Sequence, residues 1–307
     1  MGTLVGIALC VGNKRAVATA PAESEPTGIM TFADPAMQAL CAQTWGDGTN
    51  ITYEQAREVT EIPKNWAKGN TTITSFNEIK YFKNCRTIGG FAFQDCKSMA
   101  LTKLELPQCT SIGNSAFYNC SSMALTSLDL PQCTAIGGSA FKGCSSMALT
   151  KLELPLCTSI GGSAFNGCPL LSEITFQNVT TVGTQAFIGS TIAKIKLPSV
   201  ETMAASSNYE GIFSYCKNLV LVDLGENCSS IGNESLGRYV GTSGNIITII
   251  CRASTPPSLG GTIINKGWVF ATIGEIYVPD KSVEAYKTAT NWSAYANKIL
   301  PLSQYKG

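Results

Sequence analysis

The chain has 307 residues, enough to bury a sizeable core, with 22 Lys+Arg against 21 Asp+Glu, a net charge of +1 and only 14% charged residues. With no basic run and no acidic tail, nucleic acid and anionic membrane surfaces are poor partners. There is no histidine, which excludes Ser-His-Asp, Cys-His and His-metal centres and leaves an enzyme only Lys, Tyr or carboxylate chemistry.

The first element is "MGTLVGIALCVGNKRAVATA" (1–20). Its apolar run falls short of the roughly 18 residues a membrane span requires. A secretory signal carries its positive charge ahead of the apolar segment, whereas Lys14 and Arg15 follow it. Residues 1–28 therefore read as a short strand or docking arm, available for a larger assembly, with no conventional signal peptide. Next, "WGDGTNITYEQA" (45–56) sets Asp47, Gly48 and Glu54 at the fifth, sixth and twelfth positions of a calcium-loop spacing. Gln43 and Trp45 stand where the first and third positions need acids, so the segment reads as a loop feeding a helix.

A repeat then takes over. Phe93, Phe117, Phe141 and Phe165 recur every 24 residues and continue less regularly at Phe187, Phe213 and Leu236. Cys85, Cys109, Cys133 and Cys157 keep the same step, followed by Val179, Val200 and Cys228; a third track runs Cys96, Cys120, Cys144, Cys168, Ser190 and Cys216. In the block "SSMALTSLDLPQCTAIGGSAFKGC" (121–144), alternation in "LTSLDLP" predicts a short strand with Leu128 and Leu130 inward and Ser127 and Asp129 outward. "CTAIGG" brings Cys133 and Ile136 inward before a glycine turn, and "SAFKGC" tucks Ala140, Phe141 and Cys144 inside. One such coil cannot close a core; stacked coils can, which predicts a right-handed solenoid with a parallel sheet along one side. Ten of the thirteen cysteines fall on the repeat tracks, and none forms a CxxC pair. They read as free, buried thiols in preference to disulfides, with no metal site and no cofactor.

The recurring "LTxLxLPxCTSIGxxAFxxC" resembles the BspA-type (Treponema pallidum-type) leucine-rich repeat, from Cys85 to about Leu236. The flanks are similar to the ends of such proteins from gut Bacteroidetes. "TFADPAMQALCAQTWGDGTNITYEQAREVTEI" (31–62) matches a small helical N-terminal cap, and "IYVPDKSVEAYKTATNWSAYANKILPL" (276–302) a closing strand, "YVP", followed by helix. Trp268 and Trp292 are placed to seal the last coil. The expected division is an arm at 1–28, a cap at 29–84, the solenoid at 85–250 and a strand-plus-helix cap at 251–307. What the resemblance implies is surface recognition without catalysis, on a host or bacterial surface.

The outward strand positions form two rows: Lys103, Ser127, Lys151, Glu173 and Lys194, and beside them Glu105, Asp129, Glu153, Thr175 and Lys196. These are the candidate ligand-face residues, and the same alternation of sign also suits a simply solvated sheet. Glu105 and Asp129 could be taken for a paired-carboxylate centre, but nothing encloses them. Tyr118 and the cluster Tyr209, Phe213 and Tyr215 are further contact candidates, with Phe213 on a core track. Two readings follow: a non-enzymatic adhesion module binding a protein or glycan at the cell surface or outside it, or a virion component of a phage, prompted by the leading arm. A glycan-processing enzyme on a repeat scaffold is the weakest reading.

Overall fold

The computed structural model describes residues 25–205, 210–237, 240, 246–263 and 272–307. The expected coil stack is present, with two strands in each regular coil where the sequence pattern suggested one. The dipeptides Glu61–Ile62, Thr87–Ile88, Ser111–Ile112, Ala135–Ile136, Ser159–Ile160, Thr181–Val182, Thr202–Met203, Ser230–Ile231 and Ser258–Leu259 pair in that order as one continuous parallel sheet, the narrow sheet. The "LTxLxL" segments form the wide sheet, which is broken into three parts. Lys103–Glu105 pairs with Ser127–Asp129, and Lys151–Glu153 with Glu173–Thr175. The third part joins Lys194–Leu197, Leu221–Leu224, Ile246–Cys251, Thr272–Val278 and Ile299–Pro301.

Adjacent coils are stitched in both directions. Thr134 and Gly137 donate their N–H groups back to Thr110 and Ile112 at 2.8 Å, while Ser115, Phe117 and Asn119 donate forward to Gly138, Ala140 and Lys142, also at 2.8 Å. The turn between them uses left-handed backbone at Ser139 (φ 55°) and Gly143 (φ 77°). The first glycine of each "IG" pair is demanded by proximity. A Cβ on Gly137 would sit 2.5 Å from the backbone nitrogen of Asn114 and 2.6 Å from the carbonyl carbon of Gly113.

The tracks become columns. Phe93, Phe117, Phe141, Phe165, Phe187 and Phe213 are fully buried and stack ring on ring, with centroids 5.0 to 5.9 Å apart and planes within 13° of parallel. Each ring is worth about 3–5 kcal/mol over alanine. The cysteine columns do more than fill space. Cys120 donates its thiol to the carbonyl of Phe93 at 3.0 Å and Cys144 to that of Phe117 at 3.1 Å, each reaching into the preceding coil. Cys109 and Cys133 bond the carbonyls of Ser111 and Ala135, two residues on, at 3.4 Å. Cysteine supplies small apolar volume together with one weak donor, which alanine lacks.

Helices cover the first coils. Asp34 caps the helix Pro35–Trp45 by accepting from Ala36 at 2.7 Å and Met37 at 3.1 Å, and ties it to the next segment through Thr74 and Ser75. Burial pushes its carboxyl up, but the hydrogen bonds from Thr74, Met37 and Ser75 outweigh that and hold it at about 2. Asp47 forms a turn, accepting from Thr49 at 2.8 Å and Asn50 at 2.6 Å, and Glu54 lies in the first turn of the helix Tyr53–Glu58. The calcium-like spacing is therefore a turn and a capped helix. No helix among the described residues is long and apolar enough to cross a membrane.

The C-terminal end departs from the sequence expectation in one respect. "YVP" is not the last strand: Ile299–Pro301 follows and pairs with it in parallel, through Ile276, Tyr277 and Val278. Trp292 does seal the end, fully buried, with its indole N–H on the carbonyl of Pro257 at 2.8 Å and Tyr286 edge-on at 5.0 Å. Trp268, residues 1–24 of the leading arm and Tyr209 lie outside the described residues.

Candidate recognition face

Strand alternation places the ten candidate residues where the sequence predicted. Leu104, Leu128 and Leu152 are buried, and between them Lys103, Asp129, Lys151, Glu153, Glu173, Thr175, Lys194 and Lys196 are exposed, with Glu105 and Ser127 half-buried. They form one surface in two parallel rows, in register within each paired part: Lys103 beside Ser127, Glu105 beside Asp129, Lys151 beside Glu173 and Glu153 beside Thr175. Among the described residues the rows contain a single ion pair, Lys151 to Glu153 at 2.9 Å, and that carboxylate raises the affinity of the lysine for its proton.

Beyond Lys194 and Lys196 the rows change character. Leu221 is the register partner of Lys194, and Asp223 is that of Lys196, followed by Ile250 and Tyr277. Leu221, Ile250 and Tyr277 are covered by the C-terminal residues Leu300, Leu302 and Tyr305, with Tyr305 edge-on to Tyr277 at 5.0 Å. The tail thus ends the open surface as a wall. Asp223, largely buried, is held by Arg252 in a bidentate pair, both bonds 2.8 Å.

A cleft of about 640 Å³ lies where the open rows meet these residues, lined by Ile174, Thr175, Gln177, Lys194, Lys196, Asp223, Asn227 and Arg252 among others. Its origin is the break in the wide sheet: no strand ladder joins Glu173–Thr175 to Lys194–Leu197. Ile174 is only half-buried, unlike its equivalents Leu104, Leu128 and Leu152. Asp223, Asn227 and Arg252 are not marked by the outward pattern of the sequence, because Leu221 interrupts the charged row beyond Lys194.

Most of the thiols offer no comparable chemistry; Cys251 differs, lowered by hydrogen bonds with Cys228 and Tyr286 that outweigh its burial. All twelve cysteines among the described residues are buried and free. Burial pushes Cys85, Cys96, Cys157 and Cys216 up to about 11 and Cys109, Cys133 and Cys168 up to about 12, so none of these is a thiolate nucleophile near neutrality. Of the aromatic candidates, Tyr118 and Tyr215 are half-buried and Phe213 is a member of the stacked column.

The BspA type leucine rich repeat region matches the chain in 6 copies, over residues 60–156 and 145–249. No curated protein matches. Among solved structures, the chain is similar to a leucine-rich repeat protein from Bacteroides ovatus ATCC 8483, at 15% identity and a TM-score of 0.31, covering 79% of this chain and 87% of that one. It is also similar to a leucine rich cell surface protein from Faecalibacterium prausnitzii A2-165 (17% identity, TM-score 0.25, 63% and 77% covered). A third is the pneumococcal vaccine antigen PcpA (15% identity, TM-score 0.34, 64% and 68% covered). With the repeat matched over more than half its length and its coils stacked in register, the chain belongs to the BspA-type leucine-rich repeat family.

Proposed function

We propose that the chain is a non-enzymatic recognition module that binds a protein or glycan partner through the exposed side of the wide sheet, at the cell surface or outside it. The observation that carries this reading is where the copies differ. Inward positions repeat nearly unchanged (Leu104, Leu128 and Leu152; Phe117, Phe141 and Phe165), while the outward positions run Lys103, Ser127, Lys151, Glu173 and Lys194. A solenoid needs the former for its core and leaves the latter free to suit a ligand. The ten outward residues keep their role as ligand-face candidates in this reading, with Asp223, Asn227 and Arg252 added at its end. The non-enzymatic side of this reading is supported by the lack of a histidine base and by the raised thiols named above. The leading arm that prompted the phage reading lies outside the described residues, and no observation favours that reading.

The test is an array of purified surface proteins and glycans probed with the whole chain, wild type against the double charge reversal Lys103→Glu with Lys151→Glu. Specific signals should fall in the variant. Signals that persist unchanged would make this surface merely solvated.

A further inference from the structure

The 640 Å³ cleft has a neighbour. A second cavity of about 340 Å³ shares Thr175 and Gln177 with it, so the two lie end to end across the coils as one groove. The ends differ in sign. The second cavity is lined by the carboxylates Asp129 and Glu153 and, among the described residues, by no cation; Glu153 is already paired with Lys151 at 2.9 Å, which leaves Asp129 as the carboxylate without an ion-pair partner there. The first carries Lys194, Lys196 and Arg252 against Asp223 and Glu226, and Asp223 is already occupied by Arg252. Lys194 and Lys196 have no ion-pair partner among the described residues, although Glu173 precedes Lys194 in its row. Half-buried Ile174 supplies an apolar patch beside Lys194 and Lys196.

Resting on the recognition reading above, we propose that this groove binds an extended peptide carrying a basic and an acidic side chain four residues apart. The acidic side chain lies over Lys194 and Lys196, and the basic one over Asp129 and Glu153. The spacing follows from geometry. Asp129 and Lys196 are three coils apart, about 14 Å at the coil spacing that the unbroken narrow sheet sets, and four residues of extended chain span about 13 Å. Positions i and i+4 also point to the same side of an extended chain, as does the i+2 side chain, which falls between them toward Ile174. A peptide fits better than a glycan. A polyanionic saccharide would bring a carboxylate against Asp129 and Glu153. Among the described residues a neutral one would find no ring to stack on, because the one aromatic they place in the lining of either cavity, Phe176, is 2% exposed.

The test is fluorescence anisotropy on the full chain with end-blocked, labelled pentapeptides: Arg-Thr-Val-Thr-Asp against Arg-Thr-Val-Thr-Arg and Asp-Thr-Val-Thr-Asp, with a labelled tetrauronate beside them. The mixed peptide should bind about fivefold tighter than either uniform one. The double variant Lys194→Glu with Lys196→Glu, its melting temperature unchanged, should reverse the order in favour of the Arg-Thr-Val-Thr-Arg peptide. Equal binding of the three peptides, or an order the variant does not alter, overturns the proposal. Tighter binding of the tetrauronate, lost in the variant, overturns it in favour of a glycan. Array signals that respond to Lys103 and Lys151 while the pentapeptides fail would remove the groove alone. Array signals blind to that reversal would remove the reading beneath it.

Discussion

The two sheets of this solenoid share the same coils and have opposite characters. The narrow sheet runs unbroken through nine two-residue strands, and its outward residues after Glu61 are Thr, Ser and Ala. The wide sheet has longer strands, is broken twice, and carries the charges and both cavities of the proposed groove. Length of strand is therefore not what keeps a sheet continuous here. The narrow sheet is held by its surroundings: a glycine with no room for a Cβ on one flank and a buried thiol bonded to the strand carbonyl on the other. In the wide sheet a glycine of this kind, Gly225 against Pro198, flanks a strand of the continuous third part, while the two breaks lie before it.

The largest effect that would break this contrast is alkaline. The thiols lining the narrow sheet titrate at about 11 to 12 in the folded chain, above their ordinary value of 9.0, because burial disfavours the thiolate. Between those limits the unfolded chain has released protons that the folded chain still holds, so stability is fully present below pH 9 and is lost as pH rises toward 11–12. Each thiol contributes about 1.4 kcal/mol per unit of pH in that window. Urea denaturation should therefore give a constant midpoint from pH 6 to 8 and one that falls steeply above 9. A midpoint flat to pH 11 would mean the thiols are not buried as described.

A smaller break is Gly137→Ala, which forces the narrow sheet apart at one rung and should cost about 2–3 kcal/mol by the same measurement. A loss below about 0.5 kcal/mol would show that the coils can separate there freely. The smallest effect sharpens the contrast from the other side. Ser127→Lys, on the wide sheet, should change stability by less than about 0.5 kcal/mol, and a larger loss would mean that the outward row carries fold as well as ligand.

The columns were legible in the sequence because their residues are distinctive and recur in phase: Phe141 and Cys144 announce the coil, and Leu128 and Leu130 its wide strand. Ala135–Ile136 was read as the approach to a turn, since two residues cannot display a period of two; that pair becomes a strand only through its neighbours Ser111–Ile112 and Ser159–Ile160. The ten outward residues were legible from alternation alone. The cleft beside them was not, because the gap between Thr175 and Lys194 depends on how one shortened coil sits on the next. Nor was the pairing of Asp223 with Arg252, made by groups 29 residues apart, where Leu221 has already replaced the lysine of the row.

The thiol-to-carbonyl bond between coils has a consequence for how such a molecule changes length. Cys144 reaches Phe117 as Cys120 reaches Phe93, with donor and acceptor of the same kind each time. A 24-residue unit can be gained or lost at any of these joints and leave no dangling donor, no empty column and no mismatched rung. The solenoid is then a ruler whose graduations can be added singly. A unit inserted between Asp129 and Glu153, at the Cys144 joint, would move Asp129 from the basic end of the groove by one coil spacing, about 5 Å. Duplication inside a single gene is enough to reset the spacing the surface measures, with no new side chain required.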